Sequence, residues 1–237
     1  MKLNPNKCTF GVTTGKFLGF MVSQRGIKVY PKKVWAIMEL EPPKMVKEIQ
    51  SLNRKIAALN RFISRATDMC LPFFHTLRKS FEWTDECQTA FNDLKAYLLS
   101  PPLLNSSMPS EELYLYLAVS QAAVSAALVR EEDGSQKPVY FTSRALRGAE
   151  ERYPHMEKLA FVLVIAARRL KSYFQAHTIV VLTDKPLRKA MSSPEAAGRM
   201  VLWAIELSEF DIQYRPQTAI KGQAVAYFIA EFTLEEG

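Results

Sequence analysis

Two sets of residues in this 237-residue chain have side chains that could act on a ligand. The first is a single acid, Asp184, which closes the apolar run Thr178–Thr183 (TIVVLT). A short buried-type strand ending on a carboxylate presents it at the C-terminal edge of a sheet, where α/β proteins usually carry ligand and catalytic groups. The second is a series of cations, Lys28, Lys32, Lys33, Lys47, Arg54 and Lys55. Each offers a modest contact to a phosphate, and together they suit a polyanion such as nucleic acid. Trp35 lies among them and could stack on a base, though a core role is expected of it. Blander roles are open to both sets: solvation for the cations, and capping of a helix at Pro186 for Asp184. Zinc chemistry is not expected. Cys8, Cys70 and Cys87 form no C-x-x-C pair, and His75, His155 and His177 fall at no ligand spacing to them.

Charge is unevenly spread. Residues 1–105 hold 16 Lys/Arg against 8 Asp/Glu, whereas residues 106–237 hold 15 against 16, so the net +7 comes wholly from the first part. The hydrophobic share of 48% is ordinary for a packed core. No apolar run is long enough to cross a membrane, and the first residues, MKLNPNKCTFG, have no apolar leader segment. An intracellular, reducing setting is expected from the scattered cysteines.

The elements that position these residues follow from periodicity. Cys8–Val12, Phe17–Val22 and Ile27–Val29 read as short strands, with Thr13–Lys16 between the first two. Lys32–Leu40 reads as a helix closed by Pro42 and Pro43. Met45–Arg65 reads as one long helix, with Val46, Ile49, Leu52, Ile56, Leu59 and Ile63 on one face. Thr84 caps a further helix to Leu99, ended by Pro101 and Pro102, and Asn105–Ser110 reads as a linker. Leu113–Ser120 alternates, and two more apolar runs follow, the second after an Asp133-Gly134 hairpin turn. This is an antiparallel meander. The helix Glu157–Phe174, apolar nearly all round, then leads to the strand ending at Asp184, which the crossover places parallel to the first meander strand. Helices at Pro186–Met191 and Ala196–Glu209, a strand at Asp211–Arg215 and a helix at Gln223–Phe232 complete an α/β mixed sheet of five strands. The order is that of the ribonuclease H (RNase H) fold.

The chain also resembles the C-terminal part of the polymerase polyprotein of gypsy-type LTR retrotransposons, in particular a plant branch. Lys2–Gly11 resembles the end of the reverse-transcriptase palm, and Phe17-Leu18-Gly19-Phe20 the hairpin after it. Trp35–Ser64 is similar to the thumb, and Phe81–Leu103 to the connector. Residues 112–237 resemble the RNase H domain through Val181-Leu182-Thr183-Asp184, Trp203–Leu207 and Phe210-Asp211-Ile212. The resemblance divides the chain into a palm end, thumb and connector (1–105) and an RNase H-like domain (106–237). It implies an RNA–DNA hybrid or other nucleic acid as partner, and an upstream polymerase region as a further one. The paired aspartates of the polymerase site are not in this chain, so polymerisation by it alone is not expected.

The resemblance also implies a site of four carboxylates that holds two Mg²⁺ ions to hydrolyse the RNA strand. Carried over position by position, the first is Ala118, in Leu117-Ala118-Val119-Ser120. The second is Leu159, since Glu157 lies about 200° away around the helix. The third is Asp184, the retained acid, and the fourth is Tyr227. One acid can bind hydrated Mg²⁺ weakly but cannot clamp a metal pair, so a degenerate RNase H site is expected. A working ribonuclease would need substitutes such as Glu111, Glu112, Glu157 or Glu231. A non-catalytic interaction module of a polyprotein is the third reading.

Overall fold

The computed structural model describes residues 11–17, 19–78, 81–193 and 198–217. Thr14–Phe17 (β1), Phe20–Ser23 (β2) and Gly26–Val29 (β3) form a small antiparallel sheet in that order. Its pairing corrects the expected strands. Gly11 and Val12 are not in a strand, Thr14–Phe17 is, and the run Phe17–Val22 is interrupted by a turn at Gly19. Gly19 has φ +78°, a conformation that costs glycine little.

Pro31–Met38 (α1) starts on a proline at its first position, where the missing N–H is not needed. It buries Ile37, so Trp35, on the other side, is 61% exposed rather than core. Val46–Ala57 (α2) is shorter than expected. The chain leaves it through a 3₁₀ turn, Asn60–Phe62, and Arg65 in the left-handed region (φ 50°). Leu59, Phe62 and Ile63 are nonetheless buried. A 3₁₀ turn repeats every three residues, so it continued the helical spacing without continuing the helix. Two helices not foreseen follow, Ala66–Met69 (α3) and Leu71–Arg78 (α4). Asp85–Leu99 (α5) agrees with expectation: the Thr84 hydroxyl accepts from the Cys87 N–H at 3.3 Å.

The meander is present as Leu113–Val119 (β4), Ala123–Glu132 (β5) and Ser135–Ala145 (β6). Asp133 and Gly134 both have positive φ (52° and 72°), the turn that matches the twist of a tight hairpin. The expected single helix is two, His155–Arg169 (α6) and Lys171–Ala176 (α7), with the break at Leu170. Ile179–Leu182 (β7) lies parallel to β4. Leu187–Ser192 (α8) and Gly198–Leu207 (α9) lead to Ile212–Arg215 (β8), parallel to β7. The five strands run β6-β5-β4-β7-β8, a mixed α/β sheet with flanking helices. The helix expected at Gln223–Phe232 lies outside the described residues.

Both faces of this sheet are covered. Leu113, Leu115, Ile179 and Val181 pack with α6 and with Trp203 of α9. Tyr116, Ala118, Val180 and Leu182 point the other way, into a core shared with Ile49, Phe62, Phe73 and Phe91 from α2–α5. The start of the stretch expected to be a linker is tied to the larger sheet, and the residue before it to the small sheet. Ile27 and Leu104 exchange backbone hydrogen bonds of 2.7 and 3.0 Å, and the Asn105 N–H donates to Pro138 at 2.7 Å. Among the described residues no helix is long and apolar enough to cross a membrane.

Candidate functional site

The site expected at the sheet's C-terminal edge is built by β4 and β7. Tyr116 and Leu182 close the ladder between the paired strands β4 and β7, and two residues further on Ala118 is still within β4 whereas Asp184 lies in the bend beyond β7. Such strands lie about 4.8 Å apart. Asp184 is exposed, and its Oδ1 accepts the backbone N–H of Gln217 at 3.0 Å. It thereby joins the exits of β7 and β8. It does not cap α8, which starts after Pro186 with no side-chain cap. Ala118 is 3% exposed and Leu159 6%, each in a different apolar core. Neither supplies an oxygen, and Tyr227 lies outside the described residues.

The proposed substitute acids are engaged elsewhere. Glu111 and Glu112 precede β4, seven and six residues and about 20 Å of chain from Ala118. Glu111 pairs with Arg130 at 3.1 Å, and Glu112 accepts two bonds from Arg215 at 2.6 and 2.8 Å. The Arg215 guanidinium holds the Glu112 carboxyl below the ordinary carboxylate range, outweighing a small desolvation in the opposite sense. Glu157 lies 3.5 Å from Arg199, which sits over the Tyr153 ring at 4.3 Å and joins α9 to α6. Glu231 is outside the described residues. Among the described residues no three His, Cys, Asp or Glu side chains are placed to hold one metal ion.

Two cations unforeseen from the sequence crowd the same edge. Lys158, 8% exposed, donates to the Gln121 carbonyl just past β4, at 3.2 Å. On the other face Asp68 of α3 accepts from Ser120 at 2.7 Å and pairs with buried Arg65 at 3.2 Å. A buried ammonium beside the end of β4, where the resemblance implies an acid and Ala118 stands, opposes a divalent ion. The described donor set therefore does not fit a metal pair. Lys158 follows Glu157 in a nearly continuous apolar run and gave no signal, and the Asp68–Ser120 contact spans 52 residues.

The cations of the first part divide by environment. Lys28 and Lys32 are exposed, as are Lys47 and Arg54, one face apart by two turns of α2. Lys33 lies over the Phe20 ring at 4.3 Å, and Lys55 donates to the Ala36 carbonyl at 2.8 Å, holding α2 to α1. Lys16, missed in the sequence, belongs with Lys28: both align with Met21, so they share the outer face of the small sheet. Trp35 follows Lys32 by three residues on the exposed side of α1.

The five-strand order and the parallel β4–β7 crossover define an RNase H-like α/β domain. Residues 83–181 match the family described as the RNase H-like domain found in reverse transcriptase. The sequence is similar to retrovirus-related Pol polyproteins from the Drosophila melanogaster transposons opus (28% identity, 91% of this chain, 23% of that one) and 412 (30%, 100% and 19%). It is also similar to the Tf2-3 transposon polyprotein of Schizosaccharomyces pombe (25%, 92% and 17%). The chain thus spans about a fifth of the length of these curated relatives. Its fold matches a foamy viral protease–reverse transcriptase solved with double-stranded DNA, with TM-score 0.72, 18% identity, 87% of this chain and 38% of that one. A foamy viral protease–reverse transcriptase solved with an RNA/DNA hybrid gives TM-score 0.70, 19% identity, 88% and 30%.

Proposed function

We propose that this chain is the thumb, connector and RNase H-like part of a gypsy-type retrotransposon polymerase, of a plant branch, that holds nucleic acid without cleaving it. In this reading residues 1–105 are the palm end, thumb and connector, and residues 106–237 the RNase H-like domain. Nucleic acid, RNA–DNA hybrid foremost, is held by the exposed cations Lys28, Lys32, Lys47 and Arg54, with Lys16 beside them and Trp35 as a stacking group. Support comes from relatives that are Pol polyproteins and from fold neighbours solved with double-stranded DNA and with hybrid. The observation that carries loss of cleavage is Ala118, buried near the end of β4, with the Lys158 ammonium bonded to Gln121 just past that strand. The family's Mg²⁺ pair would have Asp184 alone among the described positions.

The test is incubation of the full chain with end-labelled RNA–DNA hybrid in Mg²⁺ and in Mn²⁺. The RNA is expected to stay intact. Cleavage that disappears in Asp184→Asn would establish a working ribonuclease instead. Binding of the same hybrid is expected to weaken as salt rises, by about 0.9 in log K per log salt for each phosphate neutralised. Absence of binding at low salt removes the nucleic-acid role and leaves the interaction-module reading.

A further inference from the structure

Tyr214 of β8 stands level with Val181 of β7, and both pack on the side of the sheet that α6, α8 and α9 cover. Beside Tyr214 a pocket of about 490 Å³ opens between β8 and α8. Lys185, Arg188 and Lys189 line it, and Arg215 and Pro216 complete the wall. Among the described residues no acid lines it. Arg188 and Lys189 are exposed, and neither has an ion pair among the described residues. The Arg215 guanidinium is already taken by Glu112.

The Tyr214 hydroxyl makes no hydrogen bond among the described residues. Burial raises its pKa above the ordinary value, and the positive charge of Arg188 acts in the opposite direction, so that guanidinium is near the phenol. A part-buried donor beside two unpaired cations suits an oxygen anion. The positive charge is not continued beyond the pocket. Asp184 stands exposed on one side, and past Ser192 begins an apolar groove of Met191, Val201, Ala204 and Ile205. A nucleic-acid strand needs a continued track of cations, so the pocket suits a compact anion instead. A carboxylate brings one charge and two oxygens, too few for this set of donors, whereas a phosphomonoester brings about two charges and three acceptor oxygens.

We propose that the pocket between α8 and β8 binds a phosphomonoester group, with Arg188 and Lys189 on its oxygens and the Tyr214 hydroxyl donating to a third. The volume falls within the range of about 300–1,000 Å³ usual for small-molecule sites. Two carriers present this group, a free nucleotide and the phosphorylated end of a strand, and either places its sugar and base along Pro186 and Pro216. The residues of α2–α5 pack on the opposite face of the sheet. Occupancy of the pocket is therefore independent of whether the first half of the chain holds nucleic acid.

The experiment is calorimetric titration of the full chain with AMP and with adenosine, beside anisotropy of an end-labelled thymidine trinucleotide with and without a terminal phosphate. The phosphorylated member of at least one pair is expected to bind at least about tenfold more tightly than its partner. A difference in the AMP pair assigns the free nucleotide, and one in the trinucleotide pair the strand end. Arg188→Glu is expected to weaken the preferred ligand at least about tenfold. Tyr214→Phe is expected to weaken it about fivefold. Lys28→Glu with Lys32→Glu is expected to leave the preference for the phosphate within about twofold. Circular dichroism checks that each variant is folded, and Arg188→Glu, at an exposed position, remains informative if Tyr214→Phe unfolds. Equal binding within both pairs overturns the proposal, as does unchanged affinity in either folded variant of the pocket. A preference lost in the Lys28 and Lys32 variant also overturns it, because the phosphate would then sit on the first half of the chain.

Discussion

Cys70 and Tyr97 set a pH limit on this fold. Burial pushes the Cys70 thiol from 9.0 up to about 12, and the Tyr97 hydroxyl from 10.0 up to about 12. For Tyr97, burial outweighs the hydrogen bond from Ser64, which acts in the opposite direction. The unfolded chain releases both protons at their ordinary values, while the folded chain keeps them until about pH 12. Their contribution is therefore complete below pH 9 and is lost as pH rises towards 12, by up to about 1.4 kcal/mol per unit per group. Urea unfolding at pH 8 and at pH 10.5 should show the fall, and Cys70→Ala should remove its thiol share. Native Cys70 should also resist iodoacetamide at pH 8 and react once the chain is unfolded. Asp68 makes a second residue-scale case. Asp68→Ala removes one partner of buried Arg65 and one of Ser120, and is expected to cost about 3 kcal/mol in urea unfolding.

Among the elements, the small sheet depends on one close approach. Gly26 has φ +133°, and a Cβ built there would meet the Leu104 carbonyl, with Asn105 Cα at 3.1 Å. Gly26→Ala is expected to break the Ile27–Leu104 bridge and to destabilise the chain by about 2–4 kcal/mol, from strain and forced separation together. Thermal unfolding measures it, with Gly134→Ala as the contrast, since its Cβ would meet nothing within 4 Å and only the φ penalty applies. Elements were readable in the sequence where one physical cause dominated. Alternation and Asp133-Gly134 gave the meander, and the crossover rule gave β7 beside β4. Elements set by competing causes were misread. The 3₁₀ turn at 60–62 kept the apolar spacing of α2, and α3 and α4 lie in a stretch with Pro72 and no clean period. The candidate site divides in the same way. Ala118 was fixed by strand phase, but Lys158 and Asp68 reach the strand end through contacts that only folding creates.

At the scale of the whole molecule, the five-stranded sheet gives one face to each half of the chain. Tyr116, Phe141, Val180 and Leu182 are buried against residues from α2–α5, while the opposite face packs on α6. A polar seam runs alongside. Ser143 Oγ accepts from the Thr67 N–H at 3.1 Å and lies 2.9 Å from the Thr67 hydroxyl, and it donates to Asn60 at 3.2 Å. Fully exposing a large apolar side chain costs about 1.5–3 kcal/mol, so uncovering four removes more than the usual 5–15 kcal/mol margin can comfortably spare. Two outcomes are expected. In the intact chain, unfolding followed by tryptophan fluorescence, which reports Trp83 on one side and Trp203 on the other, should coincide with loss of circular dichroism in a single transition. A fragment of residues 106–237 alone should bind a hydrophobic dye and lack a cooperative melt, although it contains every strand of the larger sheet. A soluble, cooperatively melting 106–237 fragment would mean that the apolar face is covered by something other than the first half of the chain.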